Sequence, residues 1–213
     1  MKAAPSLIRV QGKGLVSSNP DTVILTLDIE SEHKQYAKAM EDAATRLELL
    51  RQALADVGLE AEMLKTNAFG VSVAQDYREG RHIFRGYTAR HGLSLELPYD
   101  RAKVGRVFEA VTGSKAKAGL SLTFTVADRE AVKRRVLEAA VRNARERAEV
   151  IAQAAGRKLG RIHAIEHGDT VINVRSQNLF CGTPVESRTA LMTFAPAEIV
   201  SEDTVLITWD LED

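Results

Sequence analysis

The sequence predicts an α+β fold in which a mostly antiparallel sheet, built from β-hairpins, packs against two long helices and one short helix. Two observations carry this. Several short stretches alternate apolar and polar residues with a period of two, and they arrive in pairs joined by turn residues. Three other stretches repeat apolar residues every three or four positions between capping and stop residues. Strands do not alternate regularly with helices, which excludes a doubly wound nucleotide-binding fold.

Ile8 to Val16 and Val23 to Ile29 flank Asn19-Pro20-Asp21 and read as an entry hairpin. Tyr36, Met40, Ala43, Leu47, Leu50, Leu54 and Val57 form one helical stripe that Gly58 stops. A second hairpin places Phe69, Val71 and Val73 on one face, turns at Glu79-Gly80, and returns with Tyr87, Ala89, Leu93, Leu95 and Leu97. Asp100 is the expected N-cap of a short helix with Val104, Val107, Phe108 and Val111 inward, ended by Gly113. Leu120, Leu122, Phe124 and Val126 alternate as a strand. Asp128 caps the longest helix, which runs to about Ala155 with Val132, Val136, Ala140, Ala144, Ala148 and Ala152 in a stripe; Gly156 and Gly160 end it. Ile162 to Ile165 reads as a strand, residues 169–200 as a long loop, and Val205, Ile207, Trp209 and Leu211 as the closing strand. One domain spanning residues 7–213 is expected.

Composition narrows the function classes. Twenty-nine Lys and Arg balance 29 Asp and Glu, so no global field draws the chain to nucleic acid or an anionic membrane. Aromatics at 5% argue against a stacking platform for single strands. Pro5, Ser6 and Arg9 leave no room for the apolar run of a secretory leader, and no stretch is apolar enough to span a membrane. Cys181 stands alone, so no intrachain disulfide can form. These points predict a cytoplasmic protein.

Three segments in order resemble the SIMPL-domain family: Ile8-Arg9-Val10-Gln11-Gly12-Lys13-Gly14 with Val16 and Pro20-Asp21; the tract from Ala140 to Ala148 continuing through Ile151-Ala152 to Gly156 and Leu159-Gly160; and Pro196-Ala197-Glu198 before the last strand, where the family usually has glycine at position 197. The match runs from about Leu7 to Leu211. The resemblance implies an α+β fold and a tendency toward homo-oligomers, and no established catalytic residues. Many bacterial relatives are exported, and animal relatives are described as signalling adaptors.

Four features invite a chemical reading. His163-Ala164-Ile165-Glu166-His167 matches the H-x-x-E-H pattern of a zinc metallopeptidase class, which needs a helix. On a strand the two histidines stand about 13 Å apart, too far for one ion, and chance strand residues are the preferred reading. Gly12-Lys13-Gly14 is half of a dinucleotide fingerprint but leads into a strand, and reads as a bend or bulge. Nothing around Cys181 depresses a thiol pKa, so it reads as an incidental free thiol. From Asp128 to Arg161, ten bases face five acids; weak nucleic-acid binding through this basic helix, residues 129–161, competes with a solvated face laced by Glu130–Arg134, Glu138–Arg142, Arg142–Glu146 and Arg145–Glu149 pairs. The stripe from Tyr36 to Val57 fits a sheet-covering helix better than a dimerising coiled coil. His91 falls on an apolar strand face, as a hydrogen-bonded core or edge histidine does.

No catalytic, cofactor-binding or metal-binding residue is therefore assigned. The expected function is non-enzymatic, acting through homo-oligomeric assembly or protein–protein contacts at open strand edges. The alternative is a small-molecule-binding or hydrolytic protein whose site forms at an oligomer interface or beneath residues 169–200, using Arg85, Arg90, His91 and Arg188.

Overall fold

Alternating apolar residues and well-placed caps give eight strands and three helices among the described residues. The computed structural model describes residues 6–78, 80–168, 173–176, 179–180 and 196–213. In chain order the elements are β1 (Leu7–Ser18), β2 (Thr22–His33), α1 (Tyr36–Ala55), β3 (Leu64–Arg78), β4 (Arg81–Pro98), α2 (Arg101–Gly113), β5 (Gly119–Thr125), α3 (Arg129–Ala154), β6 (Lys158–Glu166), β7 (Leu179–Phe180) and β8 (Ile199–Glu212). The α+β class and the antiparallel pairing are as the sequence predicts. The chain divides into two compact units, one of Met1–Pro20, Thr125–Ser176 and Ala197–Asp213, the other of Asp21–Phe124 and Gln177–Pro196.

The first unit is a three-stranded antiparallel sheet, ordered β1-β8-β6, with α3 on one face. The Asp128 carboxylate accepts a hydrogen bond from the Ala131 amide at 2.8 Å and starts the helix. Gly156, at φ +71°, lets the chain leave it. Every fourth residue from Val132 to Ala152 is buried, and Ala140, Ala144 and Ala148 lie on Val10, Val205, Ile207 and Trp209. The alanines let the helix come close, and β1 meets it with glycines. A Cβ on Gly12 would lie 2.1 Å from the Ala140 carbonyl oxygen, and one on Gly14 would lie 2.0 Å from that of Val136. The β1–β8 register runs unbroken from Leu7↔Asp210 to Ser18↔Ile199. Gly12-Lys13-Gly14 is therefore a notch for a helix, not a bulge.

The second unit holds a five-stranded sheet ordered β3-β4-β2-β5-β7. One face of β2 and β4 supplies Val23, Leu25, Leu27, Ile29, Leu93, Leu95 and Leu97, and Leu50, Leu54, Val104, Val107 and Val111 of α1 and α2 cover them. Full burial of each such side chain contributes about 1.5–3 kcal/mol. Asp100 caps α2 by accepting from the Lys103 amide at 2.8 Å. Gly80, at φ +78°, sits in the β3–β4 turn as predicted.

Three expectations change. The entry hairpin does not form: β1 pairs with β8, and β2 pairs with β4, although turn residues separate β1 from β2. β6 begins at Lys158, so Gly160 lies inside a strand, where a Cβ would meet the Asp210 carbonyl oxygen at 2.9 Å. The span 169–200 is not all loop: β7 pairs with β5, Val174 is buried, and β8 starts at Ile199.

Close approach makes a clear prediction. Gly14→Ala should cost the upper end of about 1–3 kcal/mol or more, read from urea unfolding midpoints, because α3 must lift off β1. Gly105→Ala, in α2 with open space around it, should stabilise by about 0.5–1 kcal/mol.

Candidate functional site

The last rung between β2 and β4 is His33↔Tyr87, whereas β4 starts six residues earlier, at Arg81. β3 pairs with β4 along this extra length, so the β3–β4 ribbon projects beyond the rest of its sheet as an arm. The register decides which side chains share a face. Phe69 stands opposite His91, Val71 opposite Ala89, Val73 opposite Tyr87, and Tyr77 opposite His82. An extra residue, Arg85, interrupts the ladder where Ala74↔Gly86 gives way to Gln75↔Phe84. That bulge returns Phe84 to the face of Tyr87, and their rings meet edge to face at 5.4 Å.

This is the same face that α1 covers further in. Ala39 and Ala43 of α1 pack on Ala89, with Val71 and Tyr87 at the margin, and Tyr36 in the first helical turn meets the Tyr87 ring at 5.6 Å. Outward of Tyr36, and over Phe69 on the outer strand, no described element covers the ribbon. Phe69 is 51% exposed, Val73 51%, Phe84 52% and Tyr77 69%. These aromatic and aliphatic groups form a stripe rather than scattered surface residues.

The opposite face of the arm is ionic. The Arg85 guanidinium donates to both Glu32 carboxylate oxygens, at 2.8 and 2.6 Å, and to Asp76 at 3.1 Å. Its hydrogen bonds to Glu32, then Asp76, hold Arg85 well above the usual arginine range, so its charge is permanent and neutralised in place. Arg90 donates to Glu30 at 3.1 Å. Glu32, His33, Lys34 and Arg85 line a shallow depression wide open to solvent. Arg85 and Arg90 thus serve ion pairs on one face while His91 points to the other, and they do not converge on a ligand site. Arg188 and Cys181 lie outside the described residues.

His91 sits in the inner part of the ribbon, between Ile29 of β2 and Phe69 of β3. Its Nε2 is 2.9 Å from the Thr66 hydroxyl and its ring meets Phe69 at 5.2 Å. Burial, then the charge of Arg51, pushes its pKa below the usual histidine value.

The His163–Glu166–His167 group lies on and just after β6, not on a helix, and its members face separate partners. His163 Nδ1 lies 3.4 Å from Asp210, which also accepts from Arg161 at 2.7 Å and is held below the usual carboxylate range chiefly by that bond. Arg9 donates to both oxygens of Glu166. His167 Nε2 lies 2.8 Å from Asp203, a buried carboxylate that also accepts from the Thr204 amide at 2.7 Å. Among the described residues no three metal-ligating groups gather in one place. On α3, Arg145–Glu149 forms at 2.8 Å as expected, Lys133 takes Glu130 at 2.6 Å, and Arg147 donates to the Gln11 carbonyl.

Sequence reasoning assigned no role to the arm's aromatic face. The available signal was length: 18 residues of strand are far longer than the helix above them.

Two outcomes follow from these contacts. His167→Ala should lower stability by about 1–3 kcal/mol in urea unfolding, because buried Asp203 loses a partner, while half-exposed His163→Ala should change it by less than about 0.5 kcal/mol. His91 has a folded-state pKa below its unfolded value, so its contribution is complete above about 6.5 and is lost as pH falls below it. His91→Gln should therefore flatten the stability profile between about pH 7 and pH 5 in thermal melts.

Comparison with known proteins fits this architecture. The sequence pattern of the SIMPL family, described as a protein of unknown function (DUF541), matches residues 8–209. The chain is 25% identical over 167 residues to the 26 kDa periplasmic immunogenic protein of Brucella melitensis, covering 76% of this chain and 66% of that protein, slightly under two thirds of its length. It is also 25% identical over 216 residues to the uncharacterized protein YggE of Escherichia coli, covering 96% of this chain and 83% of that one. A Brucella abortus protein of the same periplasmic description matches equally. These periplasmic relatives overturn the cytoplasmic expectation. Compartment is set by targeting segments that a folded domain does not need, and one thiol suits either redox setting. Among the described residues no helix is long and apolar enough to cross a membrane. With the family pattern matched along nearly its whole length, the chain belongs to the SIMPL family.

Proposed function

We propose that this protein acts by assembly: copies of the chain associate through the β3–β4 ribbon, and the chain performs no catalysis of its own. The observation that carries this reading is the open apolar face of the β3–β4 ribbon, with Phe69 in its inner part, Val73 at the border, and Tyr77 and Phe84 on the arm, each at least half exposed. An aromatic side chain removes about 150–250 Å² from water when fully buried. A ribbon of this kind gains free energy from a neighbour that covers it.

The chemistry of the remaining polar groups supports the non-enzymatic part. Arg85, Arg90, Arg161 and Glu166 are committed to ion pairs, and His91 and His167 to hydrogen bonds within the fold. The periplasm, in which the Brucella relatives are named, is the compartment we assign.

Size-exclusion chromatography with light scattering tests the reading. The wild-type chain should run as an oligomer. Tyr77→Lys combined with Phe84→Lys should shift it to lighter species with an unchanged far-ultraviolet circular dichroism spectrum, because neither side chain supports the core. A wild-type protein that stays monomeric at micromolar concentration overturns the proposal.

A further inference from the structure

Sheet edges are where chains add to one another, and proteins protect them with charge, proline, bulges or a covering element. β3 is the outer strand of its sheet, paired only with β4 among the described residues, and it runs for 15 residues. Its ladder with β4 is irregular at Thr66/Ala68 and at Ala74/Gln75. Between these irregularities lies one regular stretch, Ala68-Phe69-Gly70-Val71-Ser72-Val73-Ala74. It carries no charge and no proline, and all but Val71 and Ala74 are exposed.

Read outward from Val71, this stretch is nearly the same in both directions. Ser72 and Gly70 are small, Val73 and Phe69 are large and apolar, and Ala74 and Ala68 close the ends. An antiparallel copy related by a two-fold axis through Val71 would set Phe69 opposite Val73, Gly70 opposite Ser72, and Ala68 opposite Ala74. Side chains of like character would then share each face, with Phe69 and Val73 on the apolar one. A two-fold contact of this kind is self-complementary and closes as a pair. Lys65 precedes the stretch and Asp76, which also holds Arg85, follows it, so a parallel neighbour sets Lys65 beside Lys65 and an antiparallel one does not.

We infer that the partner on the open edge of β3 is β3 of a second copy, running antiparallel about a two-fold axis at Val71. This rests on the assembly reading above and names its contact. Tyr36, Phe69, Tyr77 and Phe84, about half exposed or more, offer together roughly 400 Å² of aromatic surface, half of the about 800 Å² per partner that a stable interface buries. Val73 and the strand backbone add to it. The joined sheet would carry one apolar face across the pair, with the ion pairs of Arg85 and Arg90 on the other.

Cysteine pairing tests the register. In a chain carrying Cys181→Ser, Val71→Cys stands opposite its own copy, with Cα atoms about 4.5–5.5 Å apart, within the 4.4–6.8 Å that a disulfide spans. Mild oxidation should give a covalent dimer that reductant reverses. Phe69→Cys alone and Val73→Cys alone should give none, since each lies about 13 Å from its own copy. A mixture of those two variants should cross-link, and these exposed positions keep the test open if partly buried Val71→Cys reacts slowly. An oligomer by light scattering with no dimer from Val71→Cys or from the mixture overturns the β3 pairing and leaves the assembly reading standing. A wild-type monomer overturns both. Cross-linking of Phe69→Cys with itself places the axis elsewhere and overturns the register.

Discussion

A helix advances about 1.5 Å per residue and a strand about 3.3 Å, so a helix covers a strand of similar residue count for less than half its length. This constraint shapes both units. In the second unit the 20 residues of α1 reach about 30 Å, whichever way the helix lies, while the 18 residues of β4 reach about 60 Å. The inner part of the β3–β4 ribbon is core and the outer part is not. Tyr36, at the start of α1, marks the border where Ala89 and Tyr87 pass from buried to partly covered. In the first unit the 26 residues of α3 reach about 39 Å and the 12 residues of β1 about 40 Å, so the helix matches its strand. α3 can cover its strand for its length, and α1 cannot cover the whole of β4.

The matched unit draws on a second constraint, distance. Alanines remove little surface from water one by one, and their value lies in letting α3 approach. Gly12 and Gly14 take the helix backbone at a range that no side chain allows, and Val10, Ile207 and Trp209 fill the space on either side of the alanine stripe. Asp203 is buried opposite Gly14, where its carboxylate is held by the Thr204 amide and His167. The pattern that resembles a dinucleotide motif and the one that resembles a metal motif thus both resolve into packing of this unit.

What the sequence made legible was local. Asp100 and Asp128 cap helices because a carboxylate before a helical stripe satisfies free amides, whatever the tertiary fold. The stripe from Val132 to Ala152 and the alternation of Leu93, Leu95 and Leu97 likewise report which face is buried. Strand partners were not legible, because Asn19-Pro20-Asp21 serves a hairpin or a crossing between sheets equally well, and the choice lies with β8 and β4, far along the chain. The glycines of β1 had no meaning without α3. The candidate site was hidden for a related reason: Phe69, Val71 and Val73 alternate just as core residues do, and a period of two names a face without saying what covers it.

Another outer strand, β6, shows how an edge can be protected where β3 is bare. β6 is also an edge, in the three-stranded sheet, and it carries Lys158, Arg161, His163 and Glu166 within nine residues, with ladder irregularities on both sides of Ile162. Charge and irregularity are how a strand refuses a neighbour. β3 keeps its irregularities outside Ala68–Ala74 and leaves that stretch uncharged, with Phe69 and Val73 half exposed on either side of Val71 at the margin of the α1 contact. Among the described residues the chain thus protects one edge and leaves another open, which is where the proposed strand addition would fall. The ion pairs of Arg85 and Arg90 restrict that addition further, since they keep the ribbon's other face solvated and leave only one side to be buried.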